Sequence, residues 1–181
     1  MSNLVLIKPN EDYLDEIRNY RQEFFDYGGI SAGNSGLLNA KNIETWIEHC
    51  RLMENKETVP NPDWVEAEQY LLVHKGENRV LGMINFRHYL NEFLIQAGGH
   101  IGYEIRPSER GKGYAKAMLS LCIKKCREYD LDKVLVTCDD DNEASKRTIL
   151  ACGGVFDGIT KEGNKSVERY WITLFPVLPC E

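Results

Sequence analysis

The hydrophobic positions of this chain change period several times, and each change predicts an element. From His100 to Ile105 they alternate, with Ile101, Tyr103 and Ile105 on one side and His100, Gly102 and Glu104 on the other. A period of two belongs to a half-buried strand. Pro107 has no N–H to give a ladder and ends it. After a glycine-bearing turn, Ala115, Met118, Leu119, Cys122, Ile123 and Cys126 recur at three- and four-residue steps. That is the buried stripe of an amphipathic helix, and Lys116, Lys124, Lys125 and Arg127 lie off it.

The same reading extends both ways. Residues 3–8 form a short opening strand, broken by Pro9-Asn10. Tyr13, Leu14, Ile17, Tyr20 and Phe24 give a helical stripe that stops near Gly28-Gly29, and residues 29–36 are a glycine- and serine-rich loop. Ile43, Trp46, Ile47 and Cys50 mark a second helix, with Asn39 or Asn42 as its N-cap. Residues 69–74 and 80–86 form an antiparallel pair, and 89–96 an excursion that could hold a short helix. Residues 133–138 are an apolar strand. A helix intervenes, so this strand runs parallel to 100–105 through a right-handed crossover. Asp141 or Asn142 caps a helix running to Cys152, which Gly153-Gly154 closes. Strands 155–161 and 166–175 complete the chain, joined by a hairpin at Glu162-Gly163-Asn164. The order predicts a mixed α/β class: one domain, with a twisted sheet of about seven strands flanked by helices.

Composition narrows the function classes. The 181 residues suit one domain with a sizeable core. The net charge of −6 and a pI near 5.3 argue against a general nucleic-acid binder. No apolar run approaches the roughly 18 residues of a membrane span, and the N-terminus lacks a signal-peptide pattern, so the expected compartment is the cytoplasm. The six cysteines include no C-x-x-C pair and no zinc spacing, so no metal is expected and structural thiols are.

The chemistry is expected where strand becomes helix. The segment Arg110-Gly111-Lys112-Gly113-Tyr114-Ala115 puts small residues at a helix start, where unpaired N–H groups and the dipole favour an anion. Phosphate or pyrophosphate is the ligand this suggests; a plain glycine turn entering a surface helix is the other reading. No G-x-x-x-x-G-K-[ST] loop is present, and a dinucleotide fingerprint would need a glycine where Lys116 stands.

Arg110-x-x-Gly113-x-Ala115, within the run GYEIRPSERGKGYAKAML, resembles the acyl-CoA pyrophosphate loop of the GNAT superfamily of N-acetyltransferases. Asn142-x-x-Ser145 leading to Gly153-Gly154 is a second match, in the family's order and spacing. The likeness covers most of the chain from about Glu68 onward. It implies a single GNAT-like domain over 1–181, with acceptor-side helices and loops in 1–67 and an acetyl-CoA-binding core in 68–181. It also implies acetyl-CoA as cofactor and an amine acceptor, small molecule or peptide. By the same resemblance, backbone groups of Ile105 and Arg106 would hold the pantetheine arm. Arg110, Gly111, Lys112, Gly113, Tyr114 and Ala115 would hold the pyrophosphate, and Asn142 would bind from the far side or simply cap its helix.

Two catalytic candidates follow. Amine attack needs an unprotonated nitrogen, and Glu104 is the candidate base; a salt-bridged surface glutamate is the alternative. His100 shares that face roughly 13 Å away and is read as packed or as a water-mediated relay. Many family members carry a leaving-group tyrosine where this chain has Ile149, so Ser145 is the candidate acid. The rival reading is a non-catalytic acyl-CoA-binding or sensor module. The C-terminal strands, with Trp171 and Phe175, fit a homodimer surface or core equally.

Overall fold

A computed structural model describes residues 3–28 and 32–175. Seven strands form one sheet in the order β1-β2-β3-β4-β5-β7-β6. These are β1 (Leu4–Ile7), β2 (Ala67–His74), β3 (Arg79–Arg87), β4 (Ile101–Ile105), β5 (Lys133–Asp139), β6 (Val155–Glu162) and β7 (Lys165–Thr173). Every pairing is antiparallel except β4 with β5, which a helical crossover makes parallel. The expected mixed sheet flanked by helices is what forms.

Helices α1 (Leu14–Tyr27) and α2 (Ile43–Leu52) cover one face; α3 (Tyr114–Cys126) and α4 (Glu143–Ala151) cover the other. Both faces of β2 and β3 are thus shielded, and their burial is nearly unbroken along the strand. The α3 side packs Leu81, Ile84 and Phe86 with Met118, Leu119, Val134, Val136 and Ile172. The α1/α2 side packs Ile17, Tyr20 and Phe24 with Trp46, Ile47, Leu71 and Met83.

Local chemistry sets the helix ends. Gly28, in the left-handed region, closes α1 by donating its N–H to Phe24 O and Phe25 O. Asn42 opens α2 in a capping box with Thr45. Asn142 opens α4 by accepting from Ser145 N at 3.0 Å. The excursion before β4 contains a π-helical turn, Leu94–Gly98. Of the glycine-rich loop, residues 32–36 lie against the sheet. Gly33 packs so closely over Gly102 that a Cβ there would meet Gly102 O at 2.3 Å.

Candidate active site

Between β4 and β5 the sheet comes apart. Their ladder has a single register pair, Ile101 with Val136, and just before it His100 N donates to Leu135 O at 2.7 Å. On the other edge β4 stays paired with β3 through Ile105 opposite Gly82, and Arg106 N donates to Leu81 O at 3.0 Å. Antiparallel partners alternate which edge they face, so the backbone groups of Tyr103 and Ile105 point toward β5. A groove of about 1780 Å³ opens there. It is walled by the ends of β4 and β5, the 110–116 loop, α4 and loop residues 32–39. Of the two residues expected to offer backbone to a pantetheine arm, Ile105 faces the groove. Arg106 does not: its N–H belongs to β3, and its guanidinium binds Glu23 at 2.6 Å and Glu16 at 3.1 Å. Burial pushes the Glu23 carboxyl up, but Arg106 and the Ser108 N–H outweigh it and hold the group below the usual carboxylate range.

The groove's lower end is the start of α3. Gly111 and Gly113 have φ of 76° and 82°, and Gly113 caps α3 with no side-chain hydrogen bond. The N–H groups of the first turn therefore have no side-chain acceptor. Tyr114 and Ala115 line the groove beside them. Arg110 donates its Nε to Ile105 O at 3.2 Å and sets its guanidinium 5.8 Å from the Phe24 ring centre, tying the loop to the strand end. Lys112 pairs with Glu109 at 2.8 Å, and Glu109 also binds Arg79.

Across the gap, Asn142 is exposed and lines the groove while its side chain caps α4. Ser145 Oγ sits 2.8 Å from the Tyr103 hydroxyl. Tyr103 was not singled out from sequence as a functional residue; the odd positions of β4 announced packing. Burial, ahead of other influences, pushes its phenol up to about 12, so it is a proton donor at neutral pH. Ile149, at the position of the family tyrosine, is fully buried in the α3-side core.

Glu104 lies on the opposite face and is buried. Its carboxylate accepts from the Tyr20 hydroxyl (3.2 Å), Asn34 Nδ2 (2.9 Å) and Ala32 N (2.9 Å). Burial first, then the Glu104 charge, raises the Tyr20 phenol well above its ordinary range. Around this knot lie Gln69, donating to Gly33 O at 3.0 Å, and Ser35, bonded to Gln69 and Asn85. Nothing in the spacing of these residues signals the cluster, because it joins α1, a loop and three strands. His100 is packed: its Nδ1 accepts from Leu135 N at 2.9 Å. Desolvation, helped by nearby Arg87, lowers it to about 4. Among the described residues no group of His, Cys, Asp or Glu has metal-site geometry, and no helix is long and apolar enough to cross a membrane.

Comparison with known proteins bears on this arrangement. A family model described as an acetyltransferase (GNAT) domain matches residues 3–155. Similar solved structures include the microcin C7 self-immunity acetyltransferase MccE in complex with acetyl-CoA and AMP, 17% identical, with a TM-score of 0.68. That match covers 96% of this chain and 93% of the other. The ribosomal L7/L12 α-N-protein acetyltransferase RimL in complex with coenzyme A is 17% identical over 96% of this chain and 95% of its own, with a TM-score of 0.69. The ribosomal-protein-S5-alanine acetyltransferase from Vibrio fischeri is 17% identical, covers 99% and 97%, and has a TM-score of 0.69. At these identities the likeness is one of fold. No curated protein matches the sequence.

Proposed function

The chain belongs to the GNAT acetyltransferase family, and we propose that it transfers an acetyl group from acetyl-CoA to a primary amine by direct attack within a ternary complex. The observation that carries this is the break in the β4–β5 ladder beside the uncapped start of α3. One groove thereby offers strand backbone to an extended amide-bearing arm and helix N–H groups to a pyrophosphate.

Acetyl-CoA, when bound, supplies an activated thioester carbonyl and a thiolate leaving group. The residues of this chain do the rest. Gly111, Gly113, Tyr114 and Ala115 present backbone to the diphosphate, with Arg110 bracing the loop and Lys112 adding charge. Tyr103 and Ile105 offer N–H and C=O groups, and Asn142 an amide, to the arm. The amine nitrogen bonds to the carbonyl carbon and the C–S bond breaks. The nitrogen loses a proton to groove water, and the sulfur takes up its charge beside the Tyr103–Ser145 hydroxyl pair. That pair stands in for the tyrosine that Ile149 replaces, which favours an enzyme over a non-catalytic acyl-CoA sensor.

Tyr20, Asn34 and Ala32 already donate to the Glu104 carboxylate, which ties it to α1 and to the loop. Its part in this reading is therefore to hold loop 32–36 as a wall of the acceptor site. Glu104→Gln should raise KM for the amine and leave the shape of the pH–rate profile intact; a shifted basic limb would restore it as the proton acceptor.

The direct test is a thermal-shift titration with acetyl-CoA, coenzyme A, ATP and NAD. Stabilisation by the first two alone, followed by acetyl transfer to an amine panel, is the expected result. A shift with a nucleotide only would remove the reading.

A further inference from the structure

Arg87 ends β3 on the α1/α2 face, in step with Met83 and Asn85, and lines the groove. Its Nη1 donates to Gly98 O at 2.7 Å and Gly99 O at 3.0 Å, where the π-helical turn runs out. A guanidinium carries five N–H groups. Those on Nε and Nη2 have no partner among the described residues, and neither nitrogen is a sealed, unsatisfied atom. No carboxylate among the described residues pairs with it, whereas Arg79 and Arg169 each have one and Arg106 has two.

The free edge of this cation is kept clear. Nη2 lies over Gly102, where a Cβ would approach it to 3.3 Å and Gly33 Cα to 3.3 Å. Desolvation lowers Arg87 to about 10, and it stays charged at neutral pH. A half-buried cation costs free energy unless a counter-charge arrives. Capping two carbonyls uses one nitrogen and leaves the planar fork open, the edge that matches an oxyanion. Glu104 lies one same-face step beyond Gly102, about 7 Å along the strand. The acceptor wall thus has a positive end and a negative end.

We propose that Arg87 is the anion subsite of the acceptor pocket, and that the acceptor is an amine carrying a carboxylate or phosphate close to the reacting nitrogen. This rests on the transferase reading above and names its substrate class. Wild-type protein would be assayed with α-amino acids against their amides, aminoalkyl phosphates against amino alcohols, and a polyamine. The anionic member should have the higher kcat/KM by about 10- to 100-fold, and the pair showing that ratio identifies carboxylate or phosphate. Arg87→Gln should bring the ratio toward one, and Arg87→Lys should keep part of it, with coenzyme A still raising the melting temperature of both. Neutral or cationic amines used as well as anionic ones, or a ratio unchanged in Arg87→Gln, would overturn the subsite and leave the transferase standing. No turnover of any amine would overturn both.

Discussion

The two faces of β4 were built under different rules. On the α3 side, Ile101 and Ile105 join an apolar core, and the one polar group, Tyr103, bonds to Ser145 on α4. On the α1/α2 side, His100 and Glu104 are buried polar groups, each held by hydrogen bonds from distant parts of the chain. The first face is held by area and tolerates exchange of similar shapes; the second depends on every partner being present. In the proposed reading, a cofactor common to a whole family would meet the groove where it offers mostly backbone, and an acceptor particular to this chain would meet it where the groove offers side chains tied to a loop.

The sharpest way to break the second face is Glu104→Ala. It leaves the Tyr20 hydroxyl, the Asn34 amide and the Ala32 N–H without their acceptor, and should cost about 3 kcal/mol or more in urea denaturation. A loss under about 1 kcal/mol would mean the knot is replaced by water. His100 gives the next effect. Its folded-state pKa is depressed, so the stability it contributes is complete above its unfolded value near 6.5 and fades as pH falls toward about 4. The loss should be on the order of 2–3 kcal/mol across that window. His100→Asn, which keeps an acceptor for Leu135 N, should flatten the slope; an unchanged slope would assign it to other groups.

Two smaller effects sharpen the first face. Gly113→Asp puts a side chain at φ 82° and a carboxylate at the anion site, and should weaken coenzyme A at least about tenfold by calorimetry. Affinity equal to wild type in a folded protein would remove the loop from the site. Tyr103→Phe should slow transfer about tenfold and leave coenzyme A affinity unchanged. If Ser145→Ala adds nothing to it, the two hydroxyls act as one donor; additive losses would separate them.

Legibility followed the same division. The strands, the two hairpin pairs and the parallel crossover were readable because period, glycine and proline act locally; the place of β7 between β5 and β6 was not, because it is a pairing between distant segments. So were the Gly111 and Gly113 turn and the Asn142 cap, whose geometry lies within a few residues of each letter. The partners of Glu104 were not, since Tyr20 and Asn34 stand 84 and 70 residues away. Alternation told which face Glu104 takes and nothing of what waits there. Arg106 shows the converse: the family likeness implied a backbone contact with the ligand there, yet its N–H is spent on Leu81 O of β3 and its guanidinium on Glu16 and Glu23 of α1.

The single rung between β4 and β5 also divides the sheet into two blocks, β1 to β4 and β5 with β7 and β6, bridged by the core beneath α3. Amide hydrogens measure such a seam. Those of Leu71 and Met83, paired on both edges within regular ladder, should exchange only through global opening. Those of Tyr103 and Ile105 should exchange by local fluctuation, until something extended lies in the gap and supplies the missing rungs.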